Sequence, residues 1–212
     1  MATLNIMDVS KWQGAIDWDK VKASGKVDGV ILRVIGNKAG RPYVDPTFED
    51  NYKACTERGI PVGCYVYSAA RTVSEAAIEL ALLRRTILGK TFQMPIVMDI
   101  EDEKLRKVDR QKLTDVVAYE LGMIQSWGVY AMLYTYLDFS KNYLFMSGAA
   151  LRPYDVWLAA YRKVKPSTGF TYGMWQYTSG ARIPGVSGKV DMNYAYKDYP
   201  AIIKRAGLEV VK

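Results

Sequence analysis

A chain of 212 residues, half of them hydrophobic, is long enough to fill one sizeable core, yet contains no run of about eighteen apolar residues of the kind that spans a bilayer. It has no histidine, which excludes Ser-His-Asp and Cys-His catalysis and disfavours the usual zinc sites, so acid-base work falls to carboxylates, Tyr or Lys. The formal charge of +7 favours polyanions in general, but Lys and Arg are scattered and no nucleic-acid module is recognisable, so nucleic acid is not an expected partner.

Along the chain, apolar or β-branched runs alternate with segments of helical period. "LNIMDVS" (4–10) precedes "DWDKVKASG", with Asp17 as N-cap; "GVILRVIG" (29–36) precedes "DPTFEDNYKACTERG", closed by Gly59; "PVGCYVYSA" (61–69) precedes "TVSEAAIELALLRRTILG", closed by Gly89. "MPIVMDIED" (94–102) is followed by "DRQKLTDVVAYELGMIQSWG", closed by Gly128, and then by "YAMLYTY" (130–136). Beyond that point the spacers shorten: "DVWLAAY" (155–161), "GMWQYT" (173–178) and "VDMNYAY" (190–196) leave helical signals only in "LDFSKNYLF" and the terminal "KDYPAIIKRAG".

Eight strands alternating with helices predict a mainly parallel α/β sheet, and eight strands covered on both faces predict closure into a barrel. A doubly wound open sheet is the runner-up. With no Pro-, Gly- or Ser-rich linker and no internal repeat, residues 1–212 are expected to form one domain. Cys55 and Cys64 fall in a predicted helix and the strand after it and are expected to be reduced core thiols.

Four acids stand out. Alternate strand residues share a face, so Asp99 and Glu101 point the same way from the carboxyl end of their strand, with Cα atoms about 6.5–7 Å apart. Asp8 ends the first strand, and Asp191 lies in the last, which a closed barrel brings beside the first. Crowded carboxylates between apolar walls raise one pKa while a neighbour stays ionised, the division of labour that glycoside hydrolysis requires. The bland alternatives are turn formers or helix caps for Asp8 and Asp191, and a structural ion-pair network in which Arg33 neutralises the cluster. Tyr65 with Tyr67, Tyr134 with Tyr136, Tyr161, and Trp175 with Tyr177 lie at or near strand ends, where aromatic rings with polar tips suit sugars; interior packing is the alternative for each.

In order and spacing, these segments resemble glycoside hydrolase family 25, the lysozymes typified by bacteriophage endolysins and secreted muramidases. "MDVSKWQGAIDW" resembles the family's opening Asp, Ser and aromatic-Gln-Gly motif, "PIVMDIED" its Asp-x-Glu strand, "DVWLAAY" its Trp-containing strand, and "MWQYTSGARIPGVSGKVDMNYAY" its Trp-Gln-Tyr strand, Gly-rich turn and final Asp. The resemblance runs from residue 6 to about 196. It implies an irregular TIM-like barrel of eight strands with about five helices, forming one glycoside hydrolase catalytic domain. It also implies hydrolysis of the β-1,4 bond between N-acetylmuramic acid and N-acetylglucosamine of bacterial peptidoglycan. Glu101 then matches the general acid, Asp99 the partner that steadies the substrate's acetamido group or a water, and Asp8 and Asp191 the flanking acids. Tyr65, Tyr134, Trp157 and Gln176 match the sugar cleft. One departure is that the family often has His after the first Tyr of strand three, where this chain reads Tyr65, Val66, Tyr67.

No cofactor or metal is implied, and a monomer without membrane insertion is expected. The start "MATLNIMDVSKWQG" lacks the form of an export signal. That fits a phage-encoded lysin released by a holin, or a secreted enzyme without its leader, in either case acting on the bacterial cell wall. A noncatalytic glycan-binding module and a chitin-type N-acetylhexosamine glycosidase are the alternatives.

Overall fold

The side chains of Ile96, Met98 and Ile100 belong to one apolar layer, whereas Val97 between them belongs to another. Such a segment is a strand buried on both faces. The same alternation recurs around the sheet of this computed structural model, which describes residues 3–212.

Nine strands form one sheet: β1 (Leu4–Val9), β2 (Gly29–Lys38), β3 (Arg41–Val44), β4 (Val62–Ser68), β5 (Ile96–Ile100), β6 (Ala131–Tyr136), β7 (Asp155–Ala159), β8 (Met174–Ala181) and β9 (Val190–Ala195). Pairing of β1 with β2 closes eight of them into a barrel in the order β1, β2, β4, β5, β6, β7, β8, β9. The strands from β1 to β8 in that ring run parallel, but β9 is antiparallel to both neighbours. The sheet is thus mixed, since the short "RIPGVSGK" return from β8 leaves no room for a crossover helix.

A ninth strand, absent from the expected eight, is β3. It folds back on β2 through a two-residue turn with Ala39 at φ 55° and Gly40 at φ 83°, the positive values that hairpins prefer. The helices are α1 (Trp18–Ala23), α2 (Phe48–Glu57), α3 (Val73–Ile87), α4 (Arg110–Ser126), α5 (Leu137–Asn142) and α6 (Tyr199–Ala206). Asp17, Thr72, Asp109 and Asp198 cap α1, α3, α4 and α6 through their side chains. Cys55 and Cys64 are buried free thiols. Among the described residues no helix is long and apolar enough to cross a membrane.

Inside the barrel, Ile6, Ile31, Val97, Met132, Trp157, Met174 and Ala195 form an apolar plug, and Tyr199 and Ile203 of α6 join it. The Tyr199 hydroxyl donates to Asp155 Oδ2 at 2.8 Å at the start of β7, so α6 closes the amino-terminal end of the barrel. The interior stripe turns polar toward the carboxyl end: Ile6 is followed two residues on by Asp8, Ile31 by Arg33, Val97 by Asp99, and Met174 by Gln176. That change makes a filled barrel with a chemically active mouth.

Candidate active site

Asp8, Asp99, Glu101 and Asp191 line one cavity of about 170 Å³ together with Tyr65, Tyr134, Tyr136, Trp157, Tyr161 and Gln176. Asp99 lies near the end of β5, and Glu101, one residue beyond it, continues the same inward stripe. Asp191 arrives by the reversed direction of β9, whose first residues lie at the mouth. There it pairs directly with Asp8 of β1.

Gln176 is the hub of the polar wall. Its Nε2 donates to Asp8 Oδ2 at 3.1 Å, while its Oε1 accepts from the hydroxyls of Tyr134 at 2.8 Å and Tyr161 at 3.1 Å. Asn193 supplies the other clamp, donating from Nδ2 to Asp8 Oδ2 and to the Ile6 carbonyl, each at 2.8 Å. Asn193 Oδ1 in turn accepts from Trp157 Nε1 at 2.8 Å. One oxygen of Asp8 is therefore held by two amides.

Electrostatics follow from this packing. Burial pushes Asp8 up to about 8, the negative charge of Asp191 adds to the rise, and the hydrogen bonds from Asn193 and Gln176 oppose it. Burial and then the charges of Glu101 and Asp8 hold Asp99 well above the usual carboxylate range, with the Arg33 charge acting the other way. Asp99 Oδ1 is buried without a hydrogen-bond partner among the described residues. Glu101 rises to about 7, mainly through burial, with the Tyr134 hydroxyl opposing and the charges of Asp191 and Asp102 adding. Asp191 rises to about 6 through burial, against a hydrogen bond with Asp8. Near neutral pH the cluster holds protons available for transfer.

Arg33 does not neutralise these acids by direct pairing. Its Nε and Nη2 reach Asp45 Oδ2 at 2.7 and 2.6 Å, and Asp45 also accepts from Thr47 and the Lys11 backbone. Arg33 and Asp45 thus form their own buried pair beside the site.

Two aromatic candidates lie elsewhere. Trp175 neighbours the inward Gln176 and so faces outward, donating to the Ala160 carbonyl and packing against Tyr177 and Tyr194. Tyr67 does not line the cavity; its hydroxyl meets Asp102 Oδ2 at 3.2 Å. Trp157 is buried at the cavity floor, whereas Tyr161, 47% exposed, stands at the rim with its hydroxyl 2.9 Å from that of Tyr136. Asn193 is a site residue not singled out among the expected ones. The signal for Asn193 was its spacing, two places after Asp191 on one strand face. Among the described residues no group of three or more His, Cys, Asp or Glu is placed to hold a metal ion.

Residues 7–186 match the model of glycosyl hydrolases family 25. The chain is 29% identical over 195 residues to the uncharacterized protein YegX of Escherichia coli K12, covering 90% of this chain and 69% of that protein. It is 26% identical over 187 residues to the autolytic lysozyme of Clostridium acetobutylicum, covering 88% of this chain and 54% of that one. The crystal structure of the bacterial lysozyme from Streptomyces coelicolor superposes with a TM-score of 0.81, covering 97% of this chain and 99% of that one at 21% identity, a likeness of fold. A barrel with acids converging at its mouth and a family match over most of its length thus make this chain a member of glycosyl hydrolases family 25.

Proposed function

We propose that the chain is a lysozyme of the bacterial cell wall, hydrolysing the β-1,4 bond between N-acetylmuramic acid and N-acetylglucosamine of peptidoglycan. The observation that carries this reading is the placement of Asp99 and Glu101 on one inward face at the mouth, with the carboxyl of Glu101 pushed up to about 7. Family membership and the name of the Clostridium relative support it.

In this reading Glu101 protonates the glycosidic oxygen as the bond to the anomeric carbon breaks. A carboxyl titrating near 7 is acidic enough to give its proton and still carries it in a useful fraction at neutral pH. Asp99 stands beside the anomeric carbon and steadies the substrate's acetamido group or the incoming water. Positive charge developing on the sugar favours ionised Asp99, the reverse of what burial favours. Asp8 and Asp191 set the field around the pair, and Tyr65, Tyr134, Tyr161 and Gln176 orient the sugar with hydroxyl and amide groups.

The test is release of new reducing ends from purified peptidoglycan, with product masses, for the parent and Glu101→Gln. Muramic acid at the new reducing end, lost in the variant, supports bond and acid together. N-acetylglucosamine ends would refute the bond assignment, and wall binding without release would refute hydrolysis.

A further inference from the structure

Trp12 is 77% exposed, the most exposed of the large hydrophobic side chains among the described residues. The backbone that carries it is nonetheless held. The 3₁₀ turn Lys11–Gln13 is held by a capping box in which Ser10 Oγ accepts from the Trp12 backbone while Gln13 Oε1 accepts from the Ser10 backbone. Beside it the Lys11 ammonium stands 5.2 Å from the centre of the Trp12 ring and 4.8 Å from that of Tyr43. Tyr43 in turn lies on Gly36 of β2, where a Cβ would come within 2.6 Å of the ring. Among the described residues no ion pair to Lys11 is found.

The group is tied to the active site. Lys11 follows Asp8 by three residues and donates its backbone N–H to Asp45, whose carboxylate holds Arg33, and the Arg33 charge acts on Asp99 and Tyr65. Its place on the mouth follows from topology. In an eight-strand ring, β6 lies four places from β1 and β7 four places from β2, so Trp12 and Tyr43 stand across the opening from Tyr136 and Tyr161. A chain molecule lying over the acids from one rim reaches the other.

Resting on the lysozyme reading above, we propose that Trp12, Tyr43 and Lys11 form a further glycan subsite on the β1–β2 rim. A sugar ring of the strand stacks on Trp12, and a carboxylate of the peptide stem meets Lys11. The indole is carried on a turn whose backbone is held, and its flat face matches the apolar face of a pyranose. Lys11 presents one positive charge beside the two rings.

Binding is measured with Glu101→Gln as background, so that strands stay intact, using peptide-bearing glycan strands and strands stripped of peptide by an amidase. Adding Trp12→Ala weakens binding of both several-fold, and Trp12→Phe recovers most of the loss. Adding Lys11→Met weakens binding of the peptide-bearing strands only and flattens their salt dependence. Unchanged affinity with Trp12→Ala overturns the subsite, as does a loss seen only on walls carrying anionic phosphate polymer. Equal loss on both strands with Lys11→Met overturns the stem contact. Because affinity is read separately from reducing-end release, failure of the subsite and failure of the hydrolase reading give different results.

Discussion

Asp8 and Asp191 are directly paired residues of antiparallel neighbours β1 and β9, and the closeness of the Asp8 carboxyl opposes the rise of Asp191. Two acids so placed share a proton, and the charge left over is felt by Glu101. A pH dependence follows. If Glu101 is the general acid, as proposed, it works when protonated, so kcat/KM is expected to fall as pH rises through about 7, the value to which Glu101 is pushed. Asp191→Asn removes one like charge, lowers the Glu101 pKa and shifts the alkaline limb toward acid pH. A pH–rate profile of parent and variant on purified walls checks this; an unmoved limb would show that Asp191 does not act on Glu101.

Asn193 is bonded at once to Asp8, the Ile6 carbonyl and Trp157. Asn193→Leu leaves Asp8 Oδ2 with one amide donor and the Trp157 N–H without its acceptor, at a cost of about 1–3 kcal/mol for each buried group stranded. It also removes an interaction that lowers the Asp8 pKa, so Asp8 takes its proton at higher pH. The expected result is a drop in Tm together with a fall in kcat that exceeds any change in KM. Asn193→Asp, of similar shape but adding a fifth acid to Asp8, Asp99, Glu101 and Asp191, is expected to be worse for activity than for packing.

Barrel and acids were legible because both rest on local pattern. "PIVMDIED" shows an apolar run and two acids two residues apart, and that period fixes the shared face whatever the rest of the chain does. The direction of β9 was not legible in the same way, since it depends on the short return from β8 rather than on any residue within "VDMNYAY". Trp175 looked like a cleft ring because it lies near a strand's carboxyl end, but adjacent strand residues face opposite ways, and only the register shows that Gln176, not Trp175, looks inward. Arg33 shows the same limit. Its inward position could be read from spacing, but its partner Asp45 lies twelve residues on, beyond the β3 hairpin.

Stability should rise as pH falls from about 8 toward about 4. Asp8, Glu101 and Asp191 have folded-state pKa values raised above 3.8, 4.5 and 3.8, to about 8, 7 and 6, so the folded state binds more protons in that window. Their contribution is fully present below the unfolded values and is lost as pH rises through the folded ones. Glu79 and Glu120, raised by burial between α3, α4 and β4, act in the same direction. Below about 4 the trend reverses, because Asp45 has a lowered pKa and loses its ion pair on protonation. Thermal unfolding as a function of pH checks this, and Asp99→Asn should unfold at higher temperature than the parent at pH 8 while losing activity. A Tm that climbs from pH 5 to 8 would contradict it.

Arg33 and Asp45 form the pair on which the β1–β2 side of the mouth depends. Both side chains are nearly inaccessible, at 9% and 0%, and Asp45 also receives the Lys11 backbone and both polar groups of Thr47 at the start of α2. Arg33→Met strands a buried carboxylate and is expected to cost about 3–5 kcal/mol. It also withdraws the positive charge that restrains Asp99 and Tyr65, so Asp99 is driven further toward its protonated form. Asp45→Asn keeps the contacts of Thr47 but weakens the hold on Arg33, freeing that charge toward the acids. The two variants therefore move Asp99 in opposite directions: Arg33→Met shifts the acid limb of the pH–rate profile upward and Asp45→Asn shifts it downward, while both lower Tm. Parallel shifts in one direction would mean that Arg33 stabilises the rim without tuning the acids.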